Sequence, residues 1–488
     1  MRNFDYESYD AVGLAFLVRT KQISELELLE HVIERIDKLN PVLNAVSYRF
    51  YDKARDQIQR GTPDGPFKGV PFLLKDISAE YKGTPFSQGC GLYADNISTF
   101  NSTVVEKYLQ SGLVILGKTT TSELGLVGHV NTKLHGATRN PWALDRSTGG
   151  SSGGSAAVIA ARILPAAHGS DGGGSIRIPA SWSGIFGLKT TRGRIPYGPN
   201  NGEGIGGFAA SGNLSISVRD SAALLDVIAG DDPGGSYRIP APERPYLEEI
   251  GAPTGRLRIG VITDLQDLTL APEAKQATEH AARLCEALGH HVEIVRLPIN
   301  PRELREIYKI ITAVNMHSKI TSYERQHQRR VQEHEIEPYT WASYQAGADV
   351  SGTELLETMA KIQAITRQLA PWFIEYDVLV TPTTGRLPLR MDELENLGHD
   401  LSSIHELLLH CFPMTQLFNM IGYPAMSVPL YWTKENLPMG TQFSAGIGKE
   451  SLLFRLAAQL EEAQPWASRR PTYQATENFA NLSSCDAR

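Results

Sequence analysis

The chain has 488 residues, of which 41% are apolar and 21% are charged, and its net charge at pH 7 is −7. This composition is typical of a globular protein with a large core, and the scattered Lys and Arg residues argue against nucleic-acid binding and against docking on an anionic membrane. The four cysteines lie far apart without CxxC spacing, which argues against a disulfide framework and against a zinc site.

The first residues, MRNFDYESYD, are polar and acidic and are unlike a secretory signal. No apolar run reaches the roughly 18 residues of a membrane-spanning helix. We therefore expect a cytoplasmic protein that does not associate with membranes or nucleic acid.

Helical and strand patterns alternate along the chain. Ser24 opens an S-E-L-E capping box, and the helix that follows is predicted to end at Asn40-Pro41. Short apolar runs predict buried strands and amphipathic spacing predicts helices. The strands are expected at 69–76, 113–116, 257–262 and 377–383, and the helices at 221–230 and 449–462. This alternation predicts an α/β protein with a mostly parallel central sheet.

Two segments are predicted to be polar surface. Residues 317–337 form a charged, helical-looking face, which we expect to be solvated and without function. Polar residues also dominate about the last twenty positions, where we expect poor order.

Two segments match the sequence pattern of a known site but lack the local structure that the chemistry of that site requires. Gly112 to Thr119 spell the phosphate-binding loop G-x-x-x-x-G-K-T, but the middle residues Leu-Val-Ile-Leu belong to a predicted strand instead of a flexible loop. His405, Glu406 and His410 resemble a zinc-protease helix, yet a five-residue step turns the second histidine about 140° from the first. Neither motif is interpreted as a site.

The segment 147–158, STGGSSGGSAAV, has the composition of a linker, a phosphate-binding loop or an active-site loop. It continues into an apolar segment fit for the core, which argues against a linker. Two overlapping G-x-S-x-G frames, centred on Ser151 and Ser152, match the nucleophile elbow of α/β-hydrolases. A second cluster, HGSDGGGSIRIP at 168–179, can turn successive bare amides toward one concavity beside Ser175. That arrangement suits a serine nucleophile with a main-chain oxyanion hole.

The two serine loops together resemble the amidase signature family, through G-G-S-S-G-G-S followed by G-S-D-x-G-G-S-I-R-x-P. The resemblance extends over about residues 10–465 and includes GVPFLLKD, GATRNPW, GLKTTRGRI, YDVLVTPT and NMIGYPAMSVP. It implies the amidase signature fold, an α/β fold with a large mixed, mostly parallel sheet flanked by α-helices on both faces. Among the branches of the family, the layout is most similar to the 6-aminohexanoate cyclic-dimer hydrolases.

The resemblance also implies one domain over residues 1–488. Its catalytic core is expected at about 65–220, a variable region around the substrate at about 300–360, and a polar C-terminal tail at about 466–488. A homodimer is compatible with this organisation, but the sequence identifies no interface.

The resemblance implies a Ser–Ser–Lys triad. Ser175 is the implied nucleophile, Ser151 the bridging serine that follows a cis peptide bond, and Lys75 the base. The chemistry is reasonable on independent grounds, because a serine needs a neighbouring base to become nucleophilic. A free lysine titrates near pH 10.4, and burial at the end of an apolar strand can lower its pKa by the roughly three units that service at pH 7 requires.

Supporting roles follow from the same resemblance. Asp171 and Arg177 are implied to brace the second serine loop, and Ser152 to support the first. The implied oxyanion hole consists of four main-chain N–H groups, those of Gly172, Gly173, Gly174 and Ser175.

Residues that select the substrate are harder to assign. Trp182 and Thr312 are candidate pocket residues. The chain also departs from the family at two positions. Gly172 stands where Thr or Ile is common, which we expect to loosen the oxyanion turn, and Thr190 stands where Pro is common.

We interpret the sequence as an amidase that forms a covalent acyl-enzyme on Ser175, without cofactor or metal, and hydrolyses a small linear, cyclic or aryl amide. The same triad would serve a carbamate or an ester. Three further functions stay open: the catalytic subunit of a tRNA-dependent amidotransferase, an α/β-hydrolase that pairs Ser151 or Ser152 with a histidine, and a binding protein without catalysis. The histidine-dependent alternative predicts that one histidine substitution abolishes activity.

Overall fold

Strands and helices alternate along the computed structural model of the chain, which describes residues 5–266, 268–397 and 400–471. The strands are β1 Val46–Arg49, β2 Pro71–Lys75, β3 Val114–Thr119, β4 Asn131–Thr132, β5 Gly136–Ala137, β6 Arg139–Asn140, β7 Ala143–Ser147, β8 Ala166–Asp171, β9 Phe186–Lys189, β10 Ala210–Ser215, β11 Arg258–Val261, β12 His291–Ile294, β13 Val378–Pro382, β14 Ala425–Trp432 and β15 Pro438–Ala445.

The α-helices of the described ranges have lengths between one and about seven turns. They are α1 Ala11–Arg19, α2 Glu25–Leu43, α3 Tyr51–Arg60, α4 Thr103–Gln110, α5 Gly153–Ala160, α6 Arg177–Ser183, α7 Val218–Ile228, α8 Pro272–Ala287, α9 Pro301–His327, α10 Pro338–Asp349, α11 Gly352–Leu369, α12 Trp372–Glu375, α13 Leu401–Cys411, α14 Thr415–Met420 and α15 Glu450–Ala463. Over the residues described, none of them combines the length and the apolarity that crossing a membrane requires.

The strands and helices predicted from the apolar patterns are confirmed as β2, β3, β11, β13, α7 and α15. Ser24 and Glu27 form the predicted capping box at the start of α2. The predicted end of that helix is wrong, because Pro41 lies inside the last turn and the helix continues to Leu43. Asn44 then ends it in the left-handed conformation, and its N–H donates to the Asn40 carbonyl.

Eight strands form the main sheet in the order β12-β11-β13-β15-β14-β9-β10-β8. The prediction of a mixed α/β sheet is confirmed, but the prediction that it is mostly parallel is wrong. Only β11 pairs in parallel with its neighbours, β12 and β13, and the other adjacent pairs are antiparallel. The reason is that β10 lies between β8 and β9, and the hairpin β14–β15 lies between β9 and β13. Of the helical connections within this sheet, only α8 joins neighbouring strands, β11 and β12.

Helices cover both faces of the main sheet, as predicted. Side chains of a strand alternate between the two faces of a sheet. In β15, two successive side chains contact different helices. The Thr441 hydroxyl donates to the Ala277 carbonyl of α8, whereas the next residue, Gln442, accepts from Arg177 of α6. The two helices therefore pack on opposite faces.

A smaller sheet, β1-β3-β2, brings the lysine strand against the main sheet. Strand β2 packs beside β8, and the Lys75 N–H donates to His168 Nδ1 at 3.2 Å. Helix α5 is buried on all sides because its residues are small or apolar. A Cβ on its Gly154 would lie 2.6 Å from the Ala45 carbonyl oxygen, so only glycine allows this approach.

The last described residues pack on the core. Trp466, at the start of the predicted polar tail, is buried and donates its indole N–H to the Ile216 carbonyl at 2.7 Å. The rest of the predicted tail from residue 472 onward lies outside the described residues.

Candidate active site

Three residues from separate elements meet at the carboxyl end of β2. Lys75 ends that strand, Ser151 lies in the loop before α5, and Ser170 lies near the end of β8. Lys75 Nζ is 2.7 Å from Ser151 Oγ, 3.0 Å from Ser170 Oγ and 3.3 Å from the Ser170 carbonyl oxygen. The lysine is therefore held by two hydroxyl groups and one carbonyl.

Lys75 has no solvent exposure. Burial lowers the pKa of its ammonium group to about 7, against the opposite effect of the Asp171 carboxylate. A substantial fraction of Lys75 is therefore neutral near pH 7, and a neutral amine can accept a proton.

The first serine loop is hydrogen-bonded both to β8 and to the second serine loop. The peptide bond between Gly150 and Ser151 is cis. Ser152 Oγ donates to the Ser170 carbonyl at 3.2 Å, and the Ser152 N–H donates to the Ser175 carbonyl at the same distance. These bonds connect the loop of Ser151 with the loop of Ser175.

The second serine loop turns around Asp171. Its carboxylate accepts from the Gly174 N–H at 2.7 Å and from the Ile176 N–H at 3.2 Å. It also accepts from the Arg177 guanidinium through Nε and Nη2, each at 2.9 Å. Burial raises the pKa of Asp171, but the charge and hydrogen bonds of Arg177, with a further bond from Asn419, outweigh burial and hold the pKa well below its usual range.

Arg177 is fully buried and uses its remaining donors on α14 and β15. It donates to the Thr415 carbonyl at 2.8 Å, to Asn419 Oδ1 at 2.6 Å and to Gln442 Oε1 at 2.7 Å. These partners lie more than two hundred residues away along the chain, so no local sequence pattern points to them.

The glycine turn offers fewer free amides than the sequence predicts. The Gly174 N–H is already bound by Asp171, so its prediction as an oxyanion donor is wrong. Within the described ranges, the N–H groups of Gly172, Gly173 and Ser175 have no acceptor in the protein. Tyr308 of α9 lies close to the backbone of Gly173. A Cβ on Gly173 would lie 2.2 Å from the Tyr308 hydroxyl, so the position has no room for a side chain.

A cavity of about 490 Å³ opens in front of these loops, and Ser151, Ser170, Gly172 and Ser175 all line it. It continues into an outer cleft of about 1030 Å³, and the two share Glu80, Phe86, Gln88, Tyr93, Phe100, Tyr323 and Gln326. The nucleophile candidate therefore lies at the inner end of a long cleft.

Helix α9 forms one wall of the cavity with a face that repeats every three or four residues, namely Asn315, Ser318, Lys319, Ser322, Tyr323 and Gln326. The prediction that residues 317–337 form a solvated face is therefore wrong for the part up to His327. The i, i+3, i+4 spacing of polar residues on this helix was visible in the sequence. The sequence pattern of a polar face that lines a cavity is the same as that of one exposed to solvent, so the pattern did not distinguish the two.

The two predicted pocket residues lie outside this cavity wall. Trp182 is fully buried, packs against Phe412 and donates its indole N–H to the Arg386 carbonyl at 3.0 Å. Thr312 lies on α9, where its hydroxyl donates back to the Tyr308 carbonyl at 2.8 Å.

Histidine does not contribute to the cavity wall among the described residues. His168 accepts from the Lys75 N–H through Nδ1, and its Nε2 bonds Ser211 Oγ at 2.9 Å. Burial, with the charges of Lys75 and Lys118, lowers the pKa of His168 to about 3. His129 bonds Ser147 Oγ at 2.8 Å, and burial lowers its pKa to about 4. The hydrogen bonds that these two rings make go to groups other than Ser175.

In the ranges that the structure describes, no group of three or more His, Cys, Asp or Glu side chains is arranged to hold a metal ion. Residues of the phosphate-loop and zinc-protease patterns bond other side chains. Lys118 pairs with Asp76 at 3.4 Å, and on α13 His410 bonds Glu406 while His405 bonds Tyr339.

The chain is similar to known proteins over most of its length. A family model described as Amidase matches residues 27–454. The 6-aminohexanoate-cyclic-dimer hydrolase of Pseudomonas sp. (strain NK87) is 38% identical over 479 residues, which cover 95% of this chain and 96% of that protein.

Two solved structures are similar over nearly their whole length. A structure of 6-aminohexanoate cyclic dimer hydrolase has a TM-score of 0.90 and 36% identity, and the match covers 96% of this chain and 99% of that one. A bacterial aryl acylamidase of the amidase signature enzymes has a TM-score of 0.85 and 28% identity, with coverage of 94% and 97%.

Proposed function

The chain belongs to the amidase signature family, and from this membership we propose that it cleaves the amide bond of a small molecule through Lys75, Ser151 and Ser175. It is a hydrolase of carbon–nitrogen bonds, as the sequence predicts. The observation that carries the proposed triad is the 2.7 Å hydrogen bond between Lys75 Nζ and Ser151 Oγ. It joins a buried amine with a lowered pKa to a hydroxyl on the wall of the cavity that Ser175 also lines.

In the first step the Ser175 hydroxyl attacks the carbonyl carbon of the substrate. Its proton passes to Ser151, whose own proton passes to neutral Lys75. The new C–O bond places the carbonyl electron pair on oxygen, and the N–H groups of Gly172, Gly173 and Ser175 are the donors we assign to that oxyanion. Each such donor contributes about 3 kcal/mol to stabilising the transition state.

In the second step the tetrahedral intermediate collapses and the C–N bond breaks. The leaving nitrogen takes the proton of Ser151, which the Lys75 ammonium replaces, so that a neutral amine departs. Water then attacks the acyl ester on Ser175 and gives a proton to Ser151, whose own proton passes to Lys75. As the ester C–O bond breaks, the same two groups return a proton to the Ser175 oxygen and restore its hydroxyl. The net reaction converts an amide and water into a carboxylic acid and an amine.

Small linear, cyclic and aryl amides are the substrate class that we assign. Relatives named as a cyclic-dimer hydrolase and an aryl acylamidase support this range. A carbamate or an ester presents a similar carbonyl and stays an alternative. Histidine-dependent catalysis loses support because both histidines near the loops are bonded elsewhere. Catalysis as an amidotransferase subunit would require a second subunit, which co-purification tests.

The triad is tested by labelling the purified protein with a fluorophosphonate probe, weighing it intact and mapping the modified peptide. We expect one adduct, on Ser175, and none in Ser175→Ala. Lys75→Met and Ser151→Ala should slow labelling by about 10²- to 10⁴-fold, since each removes the base or its relay.

Lys189→Met is the matched control. Lys189 is a second fully buried lysine whose pKa burial also lowers to about 7, but its Nζ donates to the Thr190 carbonyl and it does not line the cavity. Its labelling rate should therefore stay close to that of the parent. An adduct on Ser151 or Ser152 that survives Lys75→Met would overturn the triad.

A further inference from the structure

Lys319 is the only cationic side chain in the wall of the 490 Å³ cavity among the residues described. It lies on the polar face of α9 and lines the same cavity as Ser151 and Ser175 of the two serine loops. An ammonium group in a cleft is costly unless it is solvated or paired. Its partners therefore indicate what the cavity is built to receive.

The partner of Lys319 in the structure is the side-chain oxygen of Gln88. Lysine can only donate hydrogen bonds, so Gln88 must present its carbonyl oxygen and turn its NH₂ group away from Lys319. The pair thus offers two kinds of hydrogen-bond donor, an ammonium group and an amide NH₂ group. Acceptor-only groups such as carboxylates match a set of donors.

The position of Gln88 is held by the backbone. Gln88 has φ of 55°, in the left-handed region that non-glycine residues rarely adopt. Its carbonyl accepts from the Leu124 N–H at 2.9 Å. Non-glycine residues in this conformation concentrate at functional sites, where the surrounding structure compensates for their cost.

No carboxylate of the described chain lies within ion-pair distance of Lys319 Nζ. Burial lowers the pKa of Lys319 to about 8, against the opposite effects of Cys90 and Glu80, so the group is mainly protonated at neutral pH. Glu80 lines the same cavity without bonding Lys319, and burial raises the pKa of its carboxyl. Glu203, the other carboxyl of the wall, hydrogen-bonds Tyr237.

We propose that Lys319 and Gln88 form a subsite that binds a carboxylate of the substrate, so that the enzyme selects amides that carry a free carboxylate apart from the scissile bond. The inference rests on the proposed function, because it places this carboxylate in the cavity that also contains Ser175. It assigns Lys319 to specificity and not to bond cleavage.

The test measures binding without catalysis. In Ser175→Ala protein, isothermal titration compares three amides of equal chain length: adipamate with a terminal carboxylate, neutral hexanamide, and 6-aminohexanamide with a terminal ammonium group. We expect adipamate to bind about 10- to 100-fold more tightly than hexanamide, the range of a charge-assisted hydrogen bond. Adding Lys319→Met should reduce adipamate to the affinity of hexanamide and leave hexanamide unchanged.

Two variants separate this role from a structural one. Lys319→Arg keeps the charge and should keep part of the adipamate preference. Lys309→Met removes a lysine of the same helix that pairs with Glu306 and does not line the cavity, so the preference should be unchanged. Thermal unfolding is measured for each variant, and Lys319→Gln replaces Lys319→Met if the latter does not fold.

The proposal is overturned by equal binding of adipamate and hexanamide, by absence of adipamate binding, or by a preference that survives Lys319→Met. Tightest binding of 6-aminohexanamide would assign the selection to Glu80 instead. Failure of the proposed triad is distinguishable, because it appears as altered fluorophosphonate labelling while the adipamate preference persists.

Discussion

At the scale of single residues, the site combines a buried amine with a buried ion pair. Asp171 and Arg177 are both fully buried, and hydrogen bonds from main chain and side chains occupy their remaining polar atoms. Such a pair is strongly destabilising when one partner is removed. It therefore holds the turn of Ser175 in one geometry. Lys75 instead bonds two hydroxyl groups and one carbonyl, which are neutral partners and allow it to lose its proton.

The buried amine predicts a pH-dependent gain in stability for Lys75→Met. The pKa of Lys75 is about 7 in the folded protein against an ordinary value of 10.5, so between these values the unfolded chain binds more protons and stability rises with pH. Below about pH 7 both states are protonated and the full cost of burial persists. We expect Lys75→Met to raise the free energy of unfolding by up to about 4 kcal/mol near pH 6, and by much less near pH 10.

Urea denaturation at these two pH values checks this prediction. Lys434→Met, at an exposed position, is the control, and its effect should be small and independent of pH. A Lys75→Met variant that is less stable than the parent near pH 6 would contradict the lowered pKa. The gain would come with lost activity, as is common where an active site holds a strained or desolvated group.

At the scale of elements, α9 and α10 pack directly against each other, and α9 supplies the wall that contains Lys319. A Cβ on Gly347 of α10 would lie 2.1 Å from the Ala313 carbonyl oxygen and 2.6 Å from His317 Cβ on α9. Glycine at this position therefore sets the distance between the two helices, and with it the position of the cavity wall.

Gly347→Ala is predicted to push α10 away from α9. We expect it to lower the free energy of unfolding by about 1–3 kcal/mol, as overpacking does, and to raise KM more than it lowers kcat because the wall moves while the triad stays. Thermal or urea unfolding and steady-state kinetics on one amide measure both effects.

Gly352→Ala provides the comparison, because its Cβ would meet no atom within 4 Å at the start of α11. Alanine is the better helix former, so stability should be unchanged or raised by up to about 1 kcal/mol. Equal effects of the two substitutions would show that helix spacing is not controlled by Gly347.

At the scale of the whole molecule, burial also governs the cysteines. Cys90, Cys285 and Cys411 are free and buried. Burial raises the pKa of Cys285 and Cys411 to about 12, and that of Cys90 further still with help from Glu123. Since the thiolate is the reactive species, these thiols should be inert in the native protein.

We predict that Cys485→Ser protein reacts with Ellman's reagent about 10³-fold more slowly in the native state than in guanidinium chloride, where three thiols become available. Cys485 lies outside the described residues, and removing it leaves only the three buried thiols to react with the reagent. Release of one thiol within seconds from the native protein would show that the core around that cysteine opens.

Features that depend on neighbouring residues could be predicted from the sequence of this protein. The lysine strand, the two serine loops and the capping box at Ser24 could be predicted, because each depends on neighbouring residues and on patterns that the family shares. The predicted family, the class of enzyme and the mixed α/β fold are confirmed. The catalytic roles of Lys75, Ser151 and Ser175 stay predictions for the labelling experiment.

Features that depend on residues far apart in the chain became visible only in the folded structure. Strand β10 and the hairpin β14–β15 are inserted between other strands, so strand–helix alternation did not predict the antiparallel pairing. The capture of the Gly174 N–H by Asp171, the burial of Trp182 and the turn of Lys319 toward the cavity could not be predicted either. Each depends on which polar groups and surfaces meet after folding, and a residue pattern does not distinguish a cavity, a core and solvent.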